Sequence, residues 1–77
     1  MKILIIARTR DPHRQAEALR AALGLTLRGA SVEVALYGPL LSPLAQRAAG
    51  TLISFGHAVG VDLANALARA DAVEVWT

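Results

Sequence analysis

Cysteine is absent from this 77-residue chain, and histidine occurs only as His13 and His57. These absences exclude a disulfide framework, a thiolate nucleophile and the usual ligand sets of structural zinc. A chain this short buries only about 60–65% of the surface that it exposes when unfolded, and small domains without crosslinks commonly gain stability from a partner subunit. Because 55% of the residues are hydrophobic, we predict a homo-oligomer that carries no cofactor and no metal.

Long apolar runs are also missing. Uncharged stretches such as residues 34–46 are too short to span a bilayer, and this one is interrupted by Gly38-Pro39. Lys2 leads into a short apolar run that ends at Arg8, without the small-residue cleavage site of a secretory signal. The sequence therefore predicts a soluble, cytoplasmic protein with no membrane partner.

Positive charge is not concentrated anywhere in the chain. The net charge is only +2, although the pI is about 9.9. Arg20, Arg28, Arg47 and Arg69 lie far apart and are not interleaved with aromatic residues. Nucleic-acid-binding surfaces combine clustered positive charge with interleaved aromatic residues. The pattern therefore argues against a nucleic-acid partner and is typical of solvated helix faces.

The first half of the chain contains two strand patterns and one helix pattern. Residues 2–7 form a continuous apolar run, which predicts a central strand covered on both faces. Asp11-Pro12 is a favourable cap and first turn for a helix that ends at Gly29. Residues 31–37 alternate, which predicts a second strand whose Glu33 face is less protected than the other.

The segment that follows is ambiguous. Ser42-Pro43 begins a second helix, but residues 51–55, Thr-Leu-Ile-Ser-Phe, suit either the end of that helix or a separate strand. We favour the strand, with the helix ending near Ala49. The alternative is a helix that continues to Gly56.

The end of the chain completes an alternation of strands and helices. Asp62 caps a short third helix, and residues 72–76 form a last strand. The order β-α-β-α-(β)-α-β predicts one α/β domain over residues 1–77, a three-layer α/β/α arrangement around a parallel sheet of three or four strands. We expect the first strand inside this sheet and the strands that contain Glu33 and Glu74 nearer its edges.

Residues 16–41, AEALRAALGLTLRGASVEVALYGPLL, resemble the DsrE/DsrF/DsrH-like family of small sulfur-relay proteins. The likeness lies in an A-x-x-L-x-x-A-L helix, an R-G-x-x-V-x-V turn into a strand, and a glycine-containing loop after that strand. The ending LANALARADAVEVW, residues 63–76, is similar to the last helix and strand of the family. These stretches cover about half of the chain. The resemblance implies the family's α/β architecture, its tendency to form oligomers and its cytoplasmic location.

Active members of that family carry sulfur as a persulfide on a cysteine in a loop after a middle strand. The corresponding region here is SFGHAVG, residues 54–60, which holds no cysteine. Because a persulfide needs a thiolate, the resemblance does not imply sulfur transfer by this chain. It implies a cysteine-free subunit, for which a cysteine-bearing paralogous subunit is a second candidate partner.

Ligands of open parallel sheets bind beyond the carboxyl ends of the strands. Arg8, Arg10 and His13 follow the first strand at the start of a helix and are suited to a small anion such as phosphate or sulfate. The alternative is an ordinary polar loop, in which Asp11 occupies the helix cap and pairs with an arginine.

Ser54 and His57 form a second candidate site at the same edge if residues 51–55 are a strand. An imidazole in a glycine-rich loop is suited to general-base chemistry near neutral pH. No acidic residue of the segment is placed to orient the ring, and no known nucleophile motif surrounds Ser54. The alternative is a structural or surface histidine at the end of a helix.

Tyr37 and Trp76 are candidate interface residues, because aromatic residues are enriched at the centres of subunit contacts. Partial cover of the core is the alternative for each. Two functions remain from the sequence. The first is a non-catalytic oligomeric subunit that acts through protein contacts or a weak anion site, and the missing thiol favours it. The second is a small enzyme that uses His57, with Ser54 or the Arg8/Arg10 loop, on an anionic substrate.

Overall fold

Strands and helices alternate along the whole chain. The computed structural model describes residues 1–77. The elements are β1 (Lys2–Ala7), α1 (Pro12–Thr26), β2 (Ser31–Leu36), α2 (Pro43–Ser54), β3 (Ala58–Val59), α3 (Leu63–Arg69) and β4 (Ala72–Trp76). All four strands are parallel, in the spatial order β3-β2-β1-β4. As expected, β1 lies inside the sheet. β4 forms one edge, and the two-residue β3 forms the other.

The start of α1 follows from the Asp11-Pro12 dipeptide. One carboxylate oxygen of Asp11 accepts hydrogen bonds from the backbone N–H groups of His13 (2.8 Å) and Arg14 (3.3 Å). Pro12 occupies the first helical position, where its missing N–H costs nothing. After the helix the chain turns through Gly29, whose φ of 86° is a conformation that only glycine adopts readily. The helix predicted from the sequence is confirmed.

The strand that we favoured at residues 51–55 is wrong, because α2 continues through that segment to Ser54. Leu52 is fully buried and completes the apolar stripe that begins at Ala45. The hydroxyl of Ser54 donates to the carbonyl of Gly50, a bond that only a helical turn allows. Burial of one helix face thus outweighs the β propensity of Thr-Leu-Ile-Ser-Phe. The third strand is instead Ala58–Val59.

The sheet separates two hydrophobic clusters of unequal size. The face under α1 and α2 (the α1–α2 face) carries the main core, in which Ile5 and Val34 pack with Leu19 and Leu52. The opposite face (the α3 face) is covered only by the seven residues of α3, and its buried apolar residues are Leu4, Ile6, Ala35 and Ala66. The predicted α/β class, with a parallel sheet between two helical layers, is confirmed. None of the helices is long and apolar enough to span a bilayer.

The Glu33 face of β2 is better covered than its alternation indicated. Glu33 and Ala35 both lie on the α3 face and both are buried. β2 is not an edge strand, because β3 pairs with Glu33 and Val34 on its outer side. The expectation of a less protected face is therefore wrong. A carboxylate is buried there because an arginine reaches it, as described below.

Candidate functional site at the carboxyl edge of the sheet

The loops that follow β1 and β2 enclose a cavity at the carboxyl edge of the sheet. Its volume is about 290 Å³. The lining residues come from the two loops and the first turn of α1: Thr9, Arg10, Gln15, Tyr37, Gly38, Pro39 and Leu41. The cavity lies where open parallel sheets bind ligands, and we take it as the candidate site.

Gln15 fixes one wall of this cavity. Its side chain is only 2% exposed, its Nε2 donates to the carbonyl of Pro39 (3.0 Å) and its Oε1 accepts from the N–H of Leu41 (2.8 Å). The amide therefore uses both its donor and its acceptor on the β2–α2 loop. Gln15 was not predicted as a site residue, because its only signal in the sequence is a polar residue next to the apolar stripe of α1.

Arg8 and Arg10, predicted together as anion ligands, have different surroundings. The Arg8 guanidinium lies 5.6 Å from the centre of the Tyr37 ring, within cation–π range. Arg10 lines the cavity and forms no hydrogen bond or ion pair with another side chain. The free positive charge at the cavity is therefore that of Arg10.

His13 does not belong to this site. Its side chain is 82% exposed, and its Nε2 lies 3.9 Å from a carboxylate oxygen of Glu17, one turn along α1. The first N–H groups of the helix are already bound to Asp11. Arg8 and Arg10 therefore lie near Tyr37, and His13 lies outside the site. Asp11 caps the helix, as the polar-loop alternative predicted.

The side chain of Trp76 contacts two residues of its own chain, Glu74 and Arg14. Its indole N–H donates to Glu74 (2.9 Å), and the guanidinium of Arg14 lies 5.2 Å from the ring centre. Arg14 also donates through Nε to the backbone carbonyl of Thr77 (2.9 Å), which ties the chain end to α1. This role of Arg14 could not be predicted from the sequence, because its partners lie more than sixty residues away in the chain.

Ser54 and His57 lie at the other end of the sheet, because α2 returns the chain to the amino edge before β3 begins. The Ser54 hydroxyl is bound to Gly50, as described above, and does not contact His57. Nδ1 of His57 accepts the backbone N–H of Val32 at the start of β2 (3.2 Å). The placement of Ser54 and His57 at the carboxyl edge, which depended on a strand at residues 51–55, is therefore wrong.

The bond from Val32 gives His57 a structural role. β3 begins opposite Glu33, so the N–H of Val32, one residue earlier, has no partner on β3. The imidazole supplies the missing acceptor. This arrangement agrees with the alternative that His57 is a structural histidine rather than a catalytic one.

Glu33 and Arg69 form a bidentate ion pair under α3. Arg69 Nη2 lies 2.9 Å from Oε2 of Glu33, and Nε lies 3.2 Å from Oε1. Hydrogen bonds from Arg69 lower the pKa of Glu33 below its ordinary value of 4.5, while burial acts in the opposite direction. The same contact raises the pKa of Arg69. Arg69, which we predicted to be one of the solvated arginines, therefore has a structural partner.

No protein-family model, curated protein or solved structure matches this chain. Nor do three or more His, Asp or Glu side chains converge in a way that could hold a metal ion. The function must therefore be inferred from the residues of the chain itself.

Proposed function

We propose that this chain is a non-catalytic subunit that acts by assembling with copies of itself and with other proteins. The observation that carries the proposal is the exposure of β4. This strand lies at an edge of the sheet. Val73 and Val75 are 46% and 49% exposed, although they pair with the buried residues Leu4 and Ile6 of β1.

Edge strands present unpaired N–H and C=O groups, which natural monomers protect with proline, bulges, lysine or a covering helix. β4 has no proline and no lysine, and its pairing with β1 is continuous from Ala72 to Trp76. Its valines point to the α3 face, where Leu4 and Ile6 beside them are buried. A second copy that pairs with this edge would cover both the backbone groups and the two valines.

The resemblance to the DsrE-like family supports the same function. The chain lacks the cysteine that carries the persulfide in active members, so its role in such a system would be that of an accessory subunit in a cytoplasmic sulfur relay. A second copy of the chain is the first partner that we propose. A cysteine-bearing paralogous subunit is the second, and it would use the same exposed edge.

The alternative of a small enzyme receives no support from the geometry. It required His57 to act with Ser54 or with the Arg8/Arg10 loop. The Ser54 hydroxyl is bound to Gly50, and His57 contacts the start of β2 whereas Arg8 follows the end of β1. Six-residue parallel strands separate these ends by about 20 Å. The imidazole acceptor is also already bound to Val32.

Light scattering on a V73K/V75K variant tests whether β4 is the association surface. Lysine at these half-exposed positions leaves the core intact and blocks edge pairing, so we expect the variant to have the 8.1 kDa mass of one chain. L27K is the matched control, because Leu27 is 88% exposed and follows the last residue of α1, outside β4. L27K should assemble like the unmodified chain.

Circular dichroism of both variants verifies that the fold is retained. A V73K/V75K protein that is folded and still assembles like the unmodified chain would contradict the assignment of β4.

A further inference from the structure

We propose that the cavity at the carboxyl edge binds a small organic anion, a carboxylate attached to a single planar ring, with Arg10 as the carboxylate ligand. This goes beyond the proposed function, because a subunit that acts through protein contacts needs no ligand. It also does not use β4, which lies outside the residues that line the cavity.

The charge at the cavity is not neutralised by the protein. Arg10 is the one charged residue among those that line it. The nearest acidic side chain in the sequence, Asp11, directs its carboxylate to the N–H groups of His13 and Arg14. A guanidinium without an internal acceptor presents a planar pair of donors that matches a carboxylate.

The other side chains of the cavity suit an apolar, flat body. Tyr37, Pro39 and Leu41 provide apolar surface, and all three are exposed. The Arg8 guanidinium lies 5.6 Å from the centre of the Tyr37 ring, a cation–π contact that favours this position of the ring. Ligand sites are typically about 300–1,000 Å³ and largely apolar with few polar groups. A cavity of about 290 Å³ lies at the lower end of this range and has room for one ring.

The cavity is also held in shape before any ligand arrives. The two hydrogen bonds of Gln15 attach the loop at Pro39 and Leu41 to α1. The opposite wall is fixed by Asp11, whose own N–H donates to the hydroxyl of Thr9 (3.0 Å). A preformed site loses less conformational entropy on binding, which favours affinity for a small ligand.

Titration of the ¹⁵N-labelled chain with benzoate tests this proposal by NMR. We expect benzoate to shift the amide signals of Thr9, Gly38 and Leu41, which surround the cavity. Benzamide has the same shape without the charge, and inorganic phosphate has the charge without the ring, so both should bind more weakly. A response to phosphate that equals the response to benzoate would overturn the choice of an aromatic carboxylate.

The R10A variant identifies the anion ligand. Loss of a charge-assisted pair should weaken benzoate binding about tenfold. R28A is the matched control, since Arg28 is an exposed arginine after the far end of α1, and it should leave binding unchanged. Both positions are exposed, so neither change should affect folding. No cavity shifts with benzoate, or equal shifts in R10A and the unmodified chain, would overturn the proposal.

Discussion

Arg69 Nη2 lies 2.9 Å from Oε2 of Glu33, across 36 residues of sequence. Glu33 is in the middle of the sheet, and Arg69 is the last residue of α3. The contact ties the one helix of the α3 face to the strand beneath it. A buried carboxylate in β2 is tolerated only because this guanidinium satisfies both of its oxygens.

The Glu33–Arg69 pair predicts how stability depends on pH. The pKa of Glu33 is lower in the folded chain than its ordinary value of 4.5, first through hydrogen bonds from Arg69. The resulting stabilisation is fully present above pH 4.5 and is lost as the pH falls through the lower, folded-state pKa. Urea unfolding at a series of pH values should show this loss in the unmodified chain and a smaller one in E33Q. E17Q, at a half-exposed position on α1, is the control, and an identical acid profile for E33Q and the unmodified chain would contradict the prediction.

Removal of Arg69 should be more harmful than removal of an exposed arginine. R69M leaves the carboxylate of Glu33 buried without a partner, so the melting temperature should fall. Arg20 faces Glu17 at 3.8 Å on the exposed side of α1, and R20M should change stability by no more than about 0.5 kcal/mol. Thermal unfolding of the two variants makes the comparison. Equal melting temperatures would show that the Glu33–Arg69 pair is not stabilising.

His57 should matter for stability rather than for chemistry. H57A removes the acceptor of the buried Val32 N–H, which should cost about 1–3 kcal/mol. H13A removes an exposed imidazole and should cost no more than about 0.5 kcal/mol. Urea denaturation of both variants measures the difference. A loss for H13A as large as that for H57A would be inconsistent with the bond to Val32.

Gln15 should control the mobility of the β2–α2 loop. Q15L keeps the side-chain volume but removes both hydrogen bonds to the loop, so stability should fall by about 1 kcal/mol. The Leu41 amide, which donates to Gln15, should exchange with solvent faster. Hydrogen exchange measured by NMR checks this, with the exposed Gln46 changed to Leu as the control. An unchanged Leu41 exchange rate in Q15L would refute the role.

Local signals in the sequence predicted most of the fold. The apolar run of β1 and the Asp11-Pro12 start of α1 each depend on neighbouring residues alone, and both were identified correctly. The conformation of residues 51–55 was not identified correctly, since their side chains suit either a strand or a helix. The helix forms because it buries Leu52 in the core. That single error also moved His57 to the wrong edge of the sheet.

The site was only partly predictable because its contacts join distant parts of the chain. Arg8 and Arg10 were identified from their place after β1, a local feature. The partners of Gln15 lie 24 and 26 residues away, and those of Arg69 lie 36 residues away. The spacing of residues in the sequence does not indicate which polar side chains form hydrogen bonds with each other. Such pairs are visible only once the strand order is known.

The mass of the unmodified chain in solution tests the central claim most directly, that this protein works as an assembling subunit. Light scattering over a range of concentrations should give at least twice the 8.1 kDa of one chain. A protein that stays folded at 8.1 kDa even at the highest concentration would contradict it.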